Sequence, residues 1–130
     1  MKLVNGTVAV RHDKKVKGGQ FKAGVDIRAL RKDVRAPFDA KIPHVYHDKT
    51  QCGNPSPGSV QFTLGEEKLN AKGDRQLTGR RVFVAHVEYI DFAATFGQRR
   101  HVKEGDLLGT VSGDVLHVSA NHPELLDEVI

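Results

Sequence analysis

The sequence predicts a single domain in which β-strands dominate. Short runs rich in Val, Ile, Phe and Thr recur along the chain, and several alternate apolar with polar residues, as half-buried strands do. Gly, Pro, Asn or Asp closes each run, and 13 glycines are available for tight turns. With 130 residues, 38% of them hydrophobic, the chain can bury one core. We therefore expect residues 1–130 to form one all-β or β-dominated domain.

The predicted strands follow one another along most of the chain. Helical periodicity is weak except at EYIDFAATF (88–96) and PELLDEVI (123–130), where short helices are expected and Pro123 suits a first helical position. Pro, Gly, Asn and Ser cluster between Asp48 and Gly58, which predicts a loop. The strand runs are LVNGTVAV (3–10), GVDIRAL (24–30), KIPHVYH (41–47), SVQFTL (59–64), RRVFVAHVEYI (80–90), RHVKEGDLLGTVSG (100–113) and DVLHVSA (114–120).

Composition argues against several classes of protein. No stretch approaches the roughly 18–20 apolar residues that a membrane-spanning helix needs. The opening residues, MKLVNGTVAVRHDKK, lack the apolar core of a secretory signal, so we expect no export signal. A single cysteine, Cys52, excludes an internal disulfide and a cysteine-based zinc site.

The charge of the chain is unevenly distributed. Residues 1–50 carry 12 Lys and Arg against 5 Asp and Glu, whereas residues 51–130 carry 8 against 11. A basic half suits an anionic polymer such as nucleic acid or teichoic acid, and it equally suits an ordinary solvated face. No basic run is interleaved with aromatic residues as in single-strand binders, so a nucleic-acid partner is not expected.

Three segments of the chain follow one another in the order of a known family's motifs. They are RHDKKVKGGQFKAGVDIRALRKDVRAPFDAKI (11–42), RRVFVAHVEYI (80–90) and HVKEGDLLGTVSGDVLHVSA (101–120). The first is similar to an Arg-x-His-Pro element, an H-x-G-x-D-I motif and an Ala-Pro strand. The second is similar to a Y-x-H-L strand, and the third to V-x-x-G-x-x-I-G-x-x-G followed by H-L-H-F. With these motifs the chain resembles the LytM/lysostaphin type of zinc peptidoglycan endopeptidase.

The resemblance implies a fold and an incomplete site. The fold would be a single-domain β-sandwich of the LytM-peptidase type, a lipoyl-like duplicated hybrid, with short helices. The family's zinc is held by the His and Asp of H-x-G-x-D and by the second His of H-x-H. Asp26 and His117 stand at two of these ligand positions, and Lys22 stands at the third. Among the catalytic positions His86 is kept, while Val115 replaces the first His of H-x-H.

Lys22 and Val115 are the decisive departures from the family pattern. A further departure is Val84, which stands at the Tyr position of Y-x-H-L. A protonated ammonium group has donors and no lone pair, so Lys22 cannot ligate zinc in that form. It could instead occupy the metal position with its own charge and pair with Asp26. Valine offers no general base. The resemblance therefore implies a chain that binds no zinc and has given up hydrolysis.

Other histidines leave a rearranged metal site open. His12 falls at the family's Arg-x-His element, near the mouth of the site in the resemblance. His44 and His47 are three residues apart, a spacing that would put them on opposite faces of a strand. Any of the three could in principle rebuild a metal site.

Three functions remain open at this point. The first is an inactive peptidase-like module with a structural or binding role among protein partners in an assembly, or on peptidoglycan. The second is a working zinc endopeptidase with an altered ligand set, and the third an unrelated carrier or nucleic-acid-binding role on the same β-sandwich. A peptidoglycan-related chain without an export signal suits a phage virion, in particular its tail. A cytoplasmic or envelope-complex protein is the alternative.

Overall fold

A computed structural model describes residues 1–15, 21–49, 55–88 and 90–130, and for 13–15, 21–22, 48–49 and 55–57 it describes the backbone alone. Strands account for 54% of the chain and helix for 11%, which confirms the strand-dominated prediction. The elements are β1 (Thr7–Lys15), β2 (Phe21–Arg28), β3 (Asp33–Arg35), β4 (Ala40–Lys41), β5 (Val45–Lys49), β6 (Pro55–Leu69), β7 (Arg75–Glu88), α1 (Phe92–Phe96), β8 (His101–Val102), β9 (Leu107–Thr110), β10 (Val115–Ala120) and α2 (Pro123–Val129).

One large antiparallel sheet organises the described residues. Its strands lie in the order β1-β2-β10-β7-β6-β4-β8, and β5 pairs with β6 on the same edge as β4. Strands β3 and β9 form a separate two-stranded sheet. The C-terminal strand β10 therefore lies between β2 and β7, which brings residues from opposite ends of the sequence into direct register.

The core lies on one face of the large sheet. Alternate residues of β2, β10, β7 and β6 are fully buried there, as period-2 strands require. Helix α2 packs Leu125, Leu126 and Val129 into this core. Helix α1 contributes Phe92, whose ring meets that of Phe62 edge-on at 5.0 Å. The buried strand residues include Val25, Ile27, Leu116, Val118, Val82, Val84, Phe62 and Leu64.

Both predicted helices are present, and each starts at a residue that favours the beginning of a helix. The Asp91 carboxylate caps α1 by accepting a hydrogen bond from the backbone N–H of Ala94 at 3.1 Å. Pro123 occupies the first turn of α2, where its missing N–H costs nothing. Part of the loop expected between Asp48 and Gly58 is strand, since β5 continues to Lys49 and β6 begins at Pro55. Cys52 lies outside the described residues.

No described helix is both long and apolar enough to cross a membrane. The longer of the two, α2, has seven residues, whereas a span needs roughly 20.

Candidate functional site

Asp26 and His117 form a hydrogen-bonded pair on the sheet face opposite the core, which we call the outer face. Asp26 of β2 lies directly across from His117 of β10 in the antiparallel register. Residues in such pairs have Cβ atoms only about 4.5–5.5 Å apart, so their side chains can meet. His117 Nδ1 lies 2.7 Å from Asp26 Oδ1. About a third of each side chain remains exposed.

Small residues surround the His117 ring and leave space beside it. Gly24 lies on the same face, and a Cβ built there would be 3.9 Å from His117 Cε1 and 3.5 Å from Ser119 Cβ. On the other side His117 pairs with Ala85 of β7. The imidazole therefore lies beside three small residues, Gly24, Ser119 and Ala85, and remains accessible to solvent.

His86 reaches the surface because of a β-bulge. In β7, Val82 and Val84 face the core, so strict alternation would also send residue 86 inward. The register with β6 shifts between Val60 and Gln61, and His86 becomes the extra residue, with φ of 71°. Its side chain is exposed, and its carbonyl accepts a hydrogen bond from the Ser112 N–H at 2.7 Å. His86 thus directly follows Ala85, the β7 neighbour of His117.

The two substituted family positions lie on the strands that carry the pair. Val115 is half-buried on β10, two residues before His117, and pairs with Arg28. Residue 22 lies in β2, where its backbone pairs with Lys14. Since the ladder is unbroken from 22 to 26, those two positions are about 13 Å apart along the strand. The ion pair between Lys22 and Asp26 stays a prediction, because the Lys22 side chain lies outside the described atoms.

The remaining candidate histidines differ in their distance from the pair. His12 of β1 lies opposite Gly24, so it shares the outer face and is exposed there. His44 precedes β5, and its ring lies 5.9 Å from that of Tyr46. His47 lies within β5, three strand spacings or about 14 Å from β10. Of these three histidines, His12 is the one that the structure places beside the strand carrying Asp26.

A second polar cluster was not predicted from the sequence. Glu66 and Glu67 are consecutive residues of β6, yet both are buried, because the register with β7 shifts between Gly65 and Glu67. Glu67 Oε1 lies 2.7 Å from His101 Nδ1 and 3.4 Å from Arg75 Nη1. Two successive acidic residues shortly after the apolar run SVQFTL (59–64) were the available signal, since carboxylates that a continued strand buries need partners.

The Glu66 carboxylate, at the same bulge, contacts two residues of β7. Thr78 Oγ1 donates a hydrogen bond to Glu66 Oε1 at 3.0 Å. Arg80 Nε is 3.4 Å from the same oxygen, an ion-pair contact whose geometry falls short of a hydrogen bond. Arg80 also pairs with Glu128 of α2. These contacts satisfy Glu66 internally and describe a structural cluster.

The contact with Asp26 fixes the orientation of the His117 imidazole. An ionised Asp26 carboxylate can only accept, so Nδ1 of His117 then donates, and in the neutral imidazole Nε2 is left as the acceptor. Two ligands of a tetrahedral zinc are separated by about 3.3 Å, given bonds of 2.0–2.1 Å, whereas the two atoms here are 2.7 Å apart. Among the side chains that the structure describes, no group of three or more His, Cys, Asp or Glu could hold a metal ion. As placed, Asp26 and His117 contact each other without a described third ligand beside them.

No family model, no curated protein and no solved structure matches the chain.

Proposed function

We propose that this chain is a non-hydrolytic structural or binding module built on the fold of a LytM-type zinc endopeptidase. The observation that carries the proposal is the direct contact between Asp26 and His117 on an open sheet face. These two residues stand at family ligand positions, yet they satisfy each other. Asp26 then acts as the residue that orients His117, a role carboxylates commonly take toward histidine.

The residues that would complete the enzyme support the same conclusion. Val115 presents an aliphatic side chain at the general-base position of the family pattern, two residues from His117. Lys22 stands at the third ligand position of the family pattern, but its ammonium group has no lone pair, and its backbone lies about 13 Å along β2 from Asp26. Each departure removes a lone pair that a histidine at that position would supply. The module keeps an accessible outer face without the means to activate a water.

The finer fold type belongs to this proposal. The three family-like segments carry part of β1, all of β2 to β4, most of β7, and β8 to β10. We assign them to the body of a LytM-type β-sandwich. In support, the strand order β1-β2-β10-β7 sets parts of all three segments side by side, as a site shared among them requires. We further propose that the module serves in a phage virion, as a tail component, or in a cell-envelope assembly, where its partners are proteins or peptidoglycan.

A working zinc endopeptidase with an altered ligand set is the competing function. One observation favours it: Asp26 and His117 are adjacent on the outer face, and exposed His86 lies one residue beyond the β7 neighbour of His117. If a third ligand came from elsewhere in the chain, this grouping would suit a metal-bound water.

Zinc binding by the wild type separates the two functions. We expect purified protein to contain no stoichiometric zinc by elemental analysis, and its melting temperature to be unchanged by zinc or by a chelator. A ligand that binds only the native state stabilises it by mass action, so a real site would produce a clear shift. One zinc per chain, together with a melting temperature lowered by chelator, would favour the enzyme.

A further inference from the structure

A depression on the outer face is lined by two basic side chains, Lys41 and Arg81, that form no ion pair within the described structure. It has a volume of about 240 Å³ and lies between β4, β6 and β7. Lys41, Gly65 and Arg81 form one cross-strand row at its base, since Lys41 and Arg81 both pair with Gly65. Within the described part of the chain, neither Lys41 nor Arg81 has a carboxylate within ion-pair distance.

Two acidic residues that pair with Arg80, another residue lining the depression, are already engaged. Glu66 follows Gly65, but it is buried and accepts from Thr78 while contacting Arg80. Glu128 pairs with Arg80 as well. The depression therefore keeps a net positive charge from Lys41 and Arg81.

The walls of the depression are mostly apolar. Pro43 and Leu77 line it, and 57% of Leu77 is exposed to solvent. The floor is open because Gly65 has no side chain: a Cβ there would lie 3.0 Å from Leu77 Cδ2 and 3.6 Å from the Lys41 carbonyl oxygen. Such a site suits a ligand with a short aliphatic stem that ends in an anion.

We propose that this depression binds a glutamate-type side chain of a protein partner. The aliphatic stem packs against Pro43 and Leu77 over Gly65, and the carboxylate meets Lys41 and Arg81. A guanidinium matches the planar geometry of a carboxylate, whereas a bare phosphate would leave the apolar walls unused. The inference rests on the proposed function, since it names a contact that the protein partner makes.

The site is also positioned to act together with the Asp26–His117 pair. Arg81 lies four residues before Ala85 on β7, which is about 13 Å along the strand. Both sites open on the same face, and the side chains between them in β7 and β6 are Phe83 and Thr63. An extended partner segment can therefore cross the outer face and reach both.

The test uses isotope-labelled full-length protein and small probes. N-acetyl-glutamate N-methylamide is titrated while backbone amide signals are recorded, with the corresponding glutamine compound and inorganic phosphate as comparisons. We expect weak, saturable shifts from the glutamate probe at Gly65, Gly79 and Arg81, and no saturable shifts from the glutamine probe. Exposed ion pairs contribute little individually, so the affinity of this single-residue probe should be low.

Two variants and one control make the result specific. Arg81→Gln removes a charge, and Gly65→Ala fills the floor against the flexible end of Leu77; each should weaken binding at least fivefold. Lys72→Gln, in the exposed β6–β7 turn, should leave it unchanged. Equal responses to the glutamate and glutamine probes, an equally strong response to phosphate, or undiminished binding by Arg81→Gln would overturn the inference. Zinc-dependent activity would contradict the proposed function and leave this titration standing.

Discussion

Replacing Val115 with histidine should create a zinc site that the wild type lacks. Positions 115 and 117 are two residues apart on β10, so they share a face at about 7 Å, and Asp26 lies directly opposite His117. Two histidines, one carboxylate and a water make a competent tetrahedral set. At a zinc concentration one hundred times the Kd, linkage adds about 2.7 kcal/mol of stability, or roughly 8 °C in melting temperature for a domain of this size.

Two further variants check the origin of that gain. Adding Asp26→Ala to Val115→His should remove most of the thermal shift, because one ligand is lost. Lys22→His alone should give little shift, since about 13 Å of strand separates position 22 from Asp26. A large shift from Lys22→His alone would mean that position 22 converges on the pair despite the ladder. A folded Val115→His protein with no affinity for zinc would contradict the arrangement of His117 and Asp26 described above.

Phe62→Ala should destabilise the domain by about 3–5 kcal/mol. Phe62 is 1% exposed at the centre of β6, between Val45 of β5 and Val84 of β7, and its ring packs edge-on against Phe92. The truncation leaves a cavity that these neighbours can only partly fill. Domains of this kind are stable by only about 5–15 kcal/mol, so a large part of the total would be lost. Urea denaturation followed by circular dichroism measures the change.

Tyr46→Ala is the matched control for this loss. Tyr46 is an aromatic residue of the neighbouring strand β5, and 56% of it is exposed. Its truncation should change the free energy of unfolding by only about 0.5 kcal/mol, as surface substitutions usually do. Similar losses from both substitutions would show that Phe62 is not at the centre of the core.

Local patterns in the sequence were sufficient for the strand-dominated fold and for both helices. Val82 and Val84 are two residues apart in a predicted strand, and the structure buries both in the core. Pro123 and Asp91 mark helix starts through effects that act within one turn. These features could be predicted because their physical causes lie within a few residues of one another.

The arrangement of the site depends on pairings that local patterns do not contain. Asp26 and His117 are 91 residues apart, and only the insertion of β10 between β2 and β7 makes them neighbours. Alternation alone would direct His86 into the core, and a bulge turns it outward. A second bulge buries Glu66 and Glu67 side by side. Bulges depend on the partner strand, so the sequence of one strand does not reveal them.

Release of labelled fragments from purified peptidoglycan tests the central claim most directly. Wild-type protein is incubated with dye-labelled sacculi, with added zinc and separately with a chelator, beside a buffer blank. The account predicts no release above the blank under either condition, because Lys22 and Val115 remove a ligand and a base from the family constellation. Zinc-dependent release that the chelator abolishes, and that His117→Ala eliminates, would contradict it.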